Sequence, residues 1–123
     1  MITCAMCDDE LPFAEQLRSL VMAYAKKKRV ELQAETFASA EELLEEIENG
    51  AGFEILFLDI EMRKMDGIEL GKKLRERSYQ TLIIYVSGYD QYMRQLFEAE
   101  PFRFLSKPLK QEELENVLDK AFE

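Results

Sequence analysis

Side chains capable of chemistry follow apolar runs at four places in this sequence, and most of them are acidic. Each run has the length and composition of a strand buried in a parallel sheet, and the carboxyl ends of such strands form the ligand-binding edge of an open α/β sheet. The runs span residues 1–7, 53–58, 82–86 and 102–105, and the side chains that follow them are Asp8, Asp9, Asp59, Ser87 and Lys107. We therefore expect these five side chains to form one site.

The segments between these runs have helical patterns, so strand and helix alternate five times along the chain. Ser39 with Glu42, and Asp66 with Glu69, have the spacing of a capping box and predict the starts of the second and third helices. Residues 30–36 alternate apolar and polar side chains, which is typical of a half-exposed strand at the edge of a sheet. The apolar faces predicted for the five helices comprise Phe13, Leu17, Leu20, Val21 and Tyr24; Ala40, Leu43, Leu44 and Ile47; Leu70 and Leu74; Tyr92, Met93, Leu96 and Phe97; and Leu114, Val117, Leu118, Ala121 and Phe122.

An edge position for the second strand, together with right-handed crossovers, predicts the strand order 2-1-3-4-5. The expected fold class is α/β: a flavodoxin-like (βα)5 three-layer sandwich around a parallel five-stranded sheet. The length of 123 residues fits one domain, which we expect to span residues 1–123.

Charge and composition exclude several classes of function. Lys and Arg number 16 and Asp and Glu number 25, so the net charge is 16 − 25 = −9, and we expect no direct contact with nucleic acid. No apolar stretch approaches the roughly 20 residues of a membrane span, so we expect no membrane contact. Cys4 and Cys7 have C-x-x-C spacing, but residues three apart in a strand face opposite sides. We expect two buried, reduced thiols and a cytoplasmic location.

The predicted strand order makes the first and third strands neighbours, which brings Asp8, Asp9 and Asp59 together. Two unit charges about 4 Å apart repel by about 4 kcal/mol at an effective dielectric constant of about 20, so a proton or a cation must accompany them. A few carboxylate oxygens that leave room for water favour magnesium or manganese over zinc or copper. We expect Mg2+ as the cofactor.

Ser87 and Lys107 add a hydroxyl and an ammonium group to the same edge, and both groups suit phosphoryl oxygens. Phosphoryl transfer depends on positioning and charge neutralisation, which fits a sequence without histidine. Asp59, central among these groups, is the expected nucleophile and would form an aspartyl phosphate. Each feature alone is more often a helix cap, a turn or a solvated loop, whereas four at successive strand ends favour a common site.

Five segments resemble the receiver domain of two-component response regulators, and the resemblance covers the entire chain. They are Asp8-Asp9-Glu10, Leu58-Asp59-Ile60-Glu61-Met62, Met65-Asp66-Gly67-Ile68-Glu69-Leu70, Ser87-Gly88 and Leu105-Ser106-Lys107-Pro108. The resemblance implies that Asp59 accepts a phosphoryl group from the phosphohistidine of a sensor histidine kinase. It also implies that Asp9 and Asp59 bind Mg2+ directly, Asp8 through water and Glu61 through its backbone carbonyl. Such a domain assists its own phosphorylation and dephosphorylation and is not an enzyme for other substrates.

The resemblance also implies a switch and an output. Ser87 and Lys107 contact the phosphoryl oxygens, the Lys107-Pro108 peptide is cis, and Phe104 matches an aromatic switch position that responds with Ser87. The face formed by the fourth helix, fifth strand and fifth helix is the family's usual dimer surface, so we expect a homodimer through it after phosphorylation. One residue departs from the pattern: Arg63 stands where the family usually has proline.

More locally, Asp59-Ile60-Glu61-Met62 and Ser87-Gly88-Tyr89-Asp90 are similar to receivers of the LytTR class of transcription regulators. In that class a DNA-binding domain follows the receiver, so we expect transcription regulation through a domain outside this chain. The alternative is a stand-alone receiver that acts through protein–protein interaction.

Three other functions compete with this interpretation. An aspartyl-nucleophile phosphohydrolase usually has Asp-x-Asp after its first strand and a cap over its substrate, whereas here the acidic pair comes first and no insertion can form a cap. A flavodoxin needs a phosphate-binding loop where Asp8-Asp9-Glu10 would repel phosphate. A pseudo-receiver typically loses part of the acidic site, which this sequence retains.

Overall fold

A computed structural model describes residues 1–88 and 100–123. One parallel sheet has the order β2-β1-β3-β4-β5, which confirms the predicted strand order and the edge position of β2. Its strands are β1 (Ile2–Cys7), β2 (Leu32–Phe37), β3 (Ile55–Asp59), β4 (Leu82–Ser87) and β5 (Arg103–Ser106).

Helices cover both faces of this sheet, as the predicted three-layer sandwich requires. They are α1 (Leu11–Lys28), α2 (Ala40–Glu48), α3 (Gly67–Glu76) and a C-terminal helix (Gln111–Ala121). The predicted fourth helix, with Tyr92, Met93, Leu96 and Phe97, lies outside the described residues. Within residues 1–88 and 100–123, no helix is both long and apolar enough to cross a membrane.

Both predicted capping residues, Ser39 and Asp66, lie immediately before their helices and cap them. Ser39 Oγ accepts a hydrogen bond from the N–H of Glu42 at 3.1 Å, and Asp66 Oδ1 accepts one from the N–H of Glu69 at 2.8 Å. In a standard capping box the glutamate accepts the N–H of the capping residue. Here the Glu42 carboxylate instead accepts the N–H of Ala38, one residue before Ser39, at 3.1 Å. These bonds fix the entry of α2 and α3 against the carboxyl edge of the sheet.

Buried apolar side chains form two clusters, one on each face of the sheet. The first lies under α1 and the C-terminal helix, and the second lies under α2 and α3. Cys4 is buried in the first cluster and Cys7 in the second, which confirms that they face opposite sides. Burial raises the pKa of Cys4 to about 12 and also raises that of Cys7, so both remain neutral thiols at neutral pH.

The register of the central strands places the predicted site. All five residues of β3 are buried between β1 and β4, as expected of a central parallel strand. Leu58 is paired with Cys7 of β1 and Asp59 with Val86 of β4. One edge of the sheet therefore carries Asp8 and Asp9, which follow β1, together with Asp59 and Ser87, the last residues of β3 and β4.

Candidate functional site

Three carboxylates converge at this edge. One carboxylate oxygen from each of Asp8, Asp9 and Asp59 lies within 4.8 Å of the other two. Asp8 and Asp59 are buried, while Asp9 is exposed to solvent. The convergence predicted from the strand order is confirmed.

Lys107 supplies the positive charge of the site. Its Nζ lies 2.9 Å from Asp8 Oδ2 and 3.6 Å from Asp59 Oδ1. The backbone fixes the base of this side chain, because the Lys107 N–H donates to the carbonyl of Ser87 at 3.0 Å. The Lys107-Pro108 peptide is cis, as expected. Lys107 therefore bridges the ends of β1, β3 and β4.

Two further side chains contact the Lys107 ammonium, and neither was predicted to take part in the site. Glu10 Oε1 lies 3.6 Å from Nζ, and the ring centroid of Phe13 lies 4.3 Å from it, within the range of a cation–π contact. The sequence pattern places Phe13 only on the apolar face of α1. The adjacency of Glu10 to the acidic pair was the one available signal, whereas nothing in the sequence connects Phe13 to a lysine so far along the chain.

The electrostatics of the site favour a bound cation. Burial, followed by the charge of Asp8, raises the pKa of Asp59 to about 7, while Lys107 opposes the rise. Burial also raises the pKa of Asp8, although hydrogen bonds from the Glu10 N–H and from Lys107 act against it. Burial lowers the pKa of Lys107, but the hydrogen bond to Asp8 and the surrounding negative charges raise it more. Lys107 therefore stays charged, and one ammonium group does not offset the repulsion among the carboxylates.

The residues present fit a small divalent cation. The donors are oxygen atoms, two of the three carboxylates are held in place by burial, and the third is open to solvent. Hard cations prefer such oxygen donors and keep water on their open positions. The acidic cluster can therefore bind a metal ion.

A cleft of about 390 Å³ opens beside Asp59. Its lining consists of Glu10, Asp59, Glu61, Ser87, Gly88 and Lys107. The structure thus brings together every residue predicted to contact the phosphoryl group or the metal, with Asp8 and Asp9 in the adjoining acidic cluster. The space beside Asp59 is bordered by a hydroxyl group, an ammonium group and carboxylates.

Gly67, at the start of α3, packs directly against the backbone of Asp59. A Cβ atom at this position would lie 2.1 Å from the Asp59 carbonyl oxygen, so any larger residue would displace one of the two segments. The Gly67 N–H donates to the carbonyl of Ile60 at 2.9 Å, and the Gly67 carbonyl accepts from the Tyr85 hydroxyl at 3.3 Å. The end of β3 is therefore fixed from α3 and from β4.

Phe104, the predicted switch residue, is half-buried on β5. It is the register partner of Tyr85 and packs against the apolar cluster under α2 and α3. Ser87, its predicted companion, is buried at the end of β4. Their positions are compatible with a switch, and the switching role stays a prediction.

Comparisons with known proteins support a family assignment. The sensory transduction protein LytT of Bacillus cereus is 29% identical over 98% of this chain and 47% of its own length. An uncharacterised response regulatory protein of Yersinia pestis is 32% identical over 96% of this chain and 47% of its own length. This chain thus spans about half the length of the curated relatives it matches.

A solved structure and a family model agree with these relatives. The response regulatory domain of protein mrkE from Klebsiella pneumoniae superposes with a TM-score of 0.87 at 19% identity, covering 98% of this chain and 95% of that one. The similarity to LytT supports the LytTR class suggested by the sequence. Residues 5–119 match the response regulator receiver domain. This chain therefore belongs to the receiver domain family of response regulators.

Proposed function

We propose that residues 1–123 form a phosphoacceptor domain in which Asp59 receives a phosphoryl group from a sensor histidine kinase. One observation carries the proposal: Asp59 is buried beside Asp8 and Lys107, yet it lines a cleft that Ser87 also lines. A carboxylate in this setting is accessible to a phosphoryl donor and has a cationic partner in place.

Transfer begins with Asp59 in its ionised form. One Asp59 oxygen attacks the phosphorus, the bond between phosphorus and the donor's histidine nitrogen breaks, and the imidazole leaves. The Lys107 ammonium, 3.6 Å from Asp59 Oδ1, balances the negative charge gathered around the attacking oxygen. The Ser87 hydroxyl at the cleft wall can donate a hydrogen bond to the transferred group.

Mg2+ would be held by the carboxylates of Asp9 and Asp59, by Asp8 through water, and by the backbone carbonyl of Glu61. When bound, it supplies neutralisation of the phosphoryl oxygens' charge. The close approach of the three carboxylates supports this ligand set, because their repulsion is relieved only by a proton or a cation. Glu61 lies in the lining of the same cleft as Asp59.

Phosphorylation would change the association of the domain with a second copy of itself. Phosphate would draw Ser87 inward, Phe104 would turn into the space vacated, and the face formed by the predicted fourth helix, β5 and the C-terminal helix would then pair with its own copy. Sedimentation velocity at several protein concentrations, with and without beryllofluoride as a phosphate mimic, checks this step. A monomer under both conditions would contradict homodimerisation.

Downstream, the domain would regulate transcription through a DNA-binding domain outside this chain. One relative, LytR of Staphylococcus aureus, is named a transcriptional regulatory protein, which supports this role. The alternative remains a stand-alone receiver that acts through protein contacts. The proposed role is signalling rather than turnover of a foreign substrate. Two free thiols fit a reducing, cytoplasmic location.

The chemistry of the bond tests the proposal. The chain is labelled with a small-molecule phosphodonor and Mg2+ and then treated with hydroxylamine, which cleaves an acyl phosphate and leaves a phosphoserine intact. We expect the label to be lost. A label that survives hydroxylamine would show that Asp59 is not the phosphorylated group.

Substitution of the two phosphoryl-binding residues separates chemistry from signalling. Lys107→Ala should slow labelling by about a hundredfold, because it removes the charge that stabilises the transition state. Ser87→Ala should still accept phosphate but associate poorly with its own copy. Equal losses of labelling in the two variants would contradict this division of roles.

A further inference from the structure

The loop at residues 60–66 connects Asp59 to α3 and carries the carbonyl of Glu61. Both ends of the loop are fixed. Ile60 is fully buried and its carbonyl accepts the Gly67 N–H at 2.9 Å, while the Asp66 side chain caps α3. The position of the loop's middle therefore depends on the contacts of residues 61–65.

The middle of this loop has an unfavourable backbone conformation. Lys64 is exposed and has φ 61°, a left-handed conformation that non-glycine residues seldom adopt. A conformation of this kind persists when neighbouring contacts hold it. Arg63, also exposed, precedes it in the sequence.

Glu41 of α2 contacts Met65, the residue that follows Lys64. Its Oε2 accepts a hydrogen bond from the backbone N–H of Met65 at 3.0 Å. This bond is the main reason that the pKa of Glu41 lies below its ordinary value, so the side chain is a carboxylate at neutral pH. A negative charge in the first turn of α2 is also favourable because it faces the positive end of the helix dipole.

Helix α2 is a firm anchor for this contact. Residues that flank Glu41 in the first turn of α2 are held in place. Ser39 caps the helix, and Ala40 and Leu43 are fully buried in the apolar cluster. Glu41, Arg63 and Lys64 line a cleft of about 600 Å³ together with Asp9 and Glu10. The contact therefore joins α2 to the loop at the margin of the acidic site.

Resting on the proposed function, we propose that Glu41 is a positioning residue for phosphoryl transfer. By accepting the Met65 N–H, its carboxylate holds the loop in the conformation that keeps Glu61 in the lining of the cleft beside Asp59. Glu41 acts through the backbone and touches neither the phosphoryl group nor the metal.

The test compares three variants of the full chain. Glu41→Ala removes the acceptor, Glu41→Gln keeps an acceptor oxygen without the charge, and Glu45→Ala removes the same kind of charge from an exposed position of the same helix. Two quantities are measured: the hydrogen-exchange rate of the Met65 amide without phosphodonor, and the rate of labelling with phosphoramidate and Mg2+. Thermal melting shows whether each variant is folded.

We expect Glu41→Ala to accelerate exchange of the Met65 amide and to slow labelling, each by about fivefold, the effect typical of one lost hydrogen bond. Glu41→Gln should restore most of both rates, and Glu45→Ala should match the unaltered chain. Equal labelling rates in Glu41→Ala and Glu45→Ala, or equal losses in Glu41→Ala and Glu41→Gln, would overturn the assignment. Failure of the proposed function looks different, because the unaltered chain would then gain no phosphate, while the exchange measurement would still report the Met65 bond.

Discussion

The interior of the sheet and its acidic edge both contain buried residues, but burial has opposite effects on stability at the two places. Leu58 is buried in an apolar cluster, and the next residue, Asp59, is nearly as buried among like charges. Burial of Leu58 removes apolar surface from water and stabilises the fold. Burial of Asp59 removes water from a carboxylate and is unfavourable until a proton or a cation accompanies it.

The starts of the helices show the same contrast. Ser39 and Asp66 immediately precede α2 and α3, and their side chains cap these helices. Glu10 holds the same N-cap position before α1, but its side chain makes no cap hydrogen bond and instead lies 3.6 Å from Lys107. The Glu10 N–H donates to Asp8 Oδ1 at 2.8 Å, and Asp8 also accepts a hydrogen bond from Lys107. The acidic residues before α1 therefore contact Lys107 instead of capping the helix. Such a loss of a stabilising local contact is characteristic of functional positions.

We expect the largest effect on stability from a substitution in the interior. Leu74→Ala removes a fully buried side chain of α3 and should lower the free energy of unfolding by about 2–5 kcal/mol. Because Leu74 lies in the apolar cluster, away from the carboxylates, we expect the same loss with Mg2+ and with chelator. Urea denaturation under both conditions measures it. A loss that depends on Mg2+ would show that interior and edge are not independent.

An intermediate effect of opposite sign is expected at the edge. The pKa of Asp59 is raised to about 7, so the folded state binds its proton more tightly than the unfolded state, and stability falls as pH rises from the unfolded pKa to about 7. Above pH 7 the whole cost is present. Asp59→Asn removes the charge and should raise the free energy of unfolding at pH 8 by about 1–3 kcal/mol, since the lost attraction to Lys107 offsets part of the relief.

Urea denaturation of the metal-free protein at pH 8 measures this gain, and the same measurement near pH 5 is its control. Near pH 5 the carboxyl group of Asp59 is largely protonated, so the substitution should change stability much less there. An Asp59→Asn variant that is no more stable than the unaltered chain at pH 8 would show that the buried charge of Asp59 does not destabilise the fold.

The smallest effect is the stabilisation by Mg2+. Free Mg2+ at ten times its dissociation constant should add about 1.4 kcal/mol to the free energy of unfolding. Because binding requires ionised Asp59, whose pKa is about 7, the Mg2+-dependent rise in melting temperature at a fixed concentration should be larger at pH 8 than near pH 5.5. Calorimetry at matched ionic strength checks it, and equal midpoints with Mg2+ and with chelator at pH 8 would contradict it.

The fold and the convergence of the carboxylates could be predicted because both follow from local patterns. The alternating residues of β2 indicated an edge strand, and the strand order then placed Asp8 and Asp59 together. The contacts of Phe13 with Lys107 and of Glu41 with Met65 could not be predicted in the same way. They join elements far apart in the sequence and depend on side-chain directions that only the packed helices determine.

The assignment of Asp59 as phosphoacceptor is tested by intact mass after exposure to a small-molecule phosphodonor with Mg2+, for the unaltered chain and for Asp59→Asn. The buried carboxylate at the end of β3 lines the cleft and has Lys107 as its cationic partner. We therefore predict that the unaltered chain gains the mass of one phosphoryl group and that Asp59→Asn gains none. Phosphorylation of the Asp59→Asn variant, or no mass gain by the unaltered chain, would contradict the account.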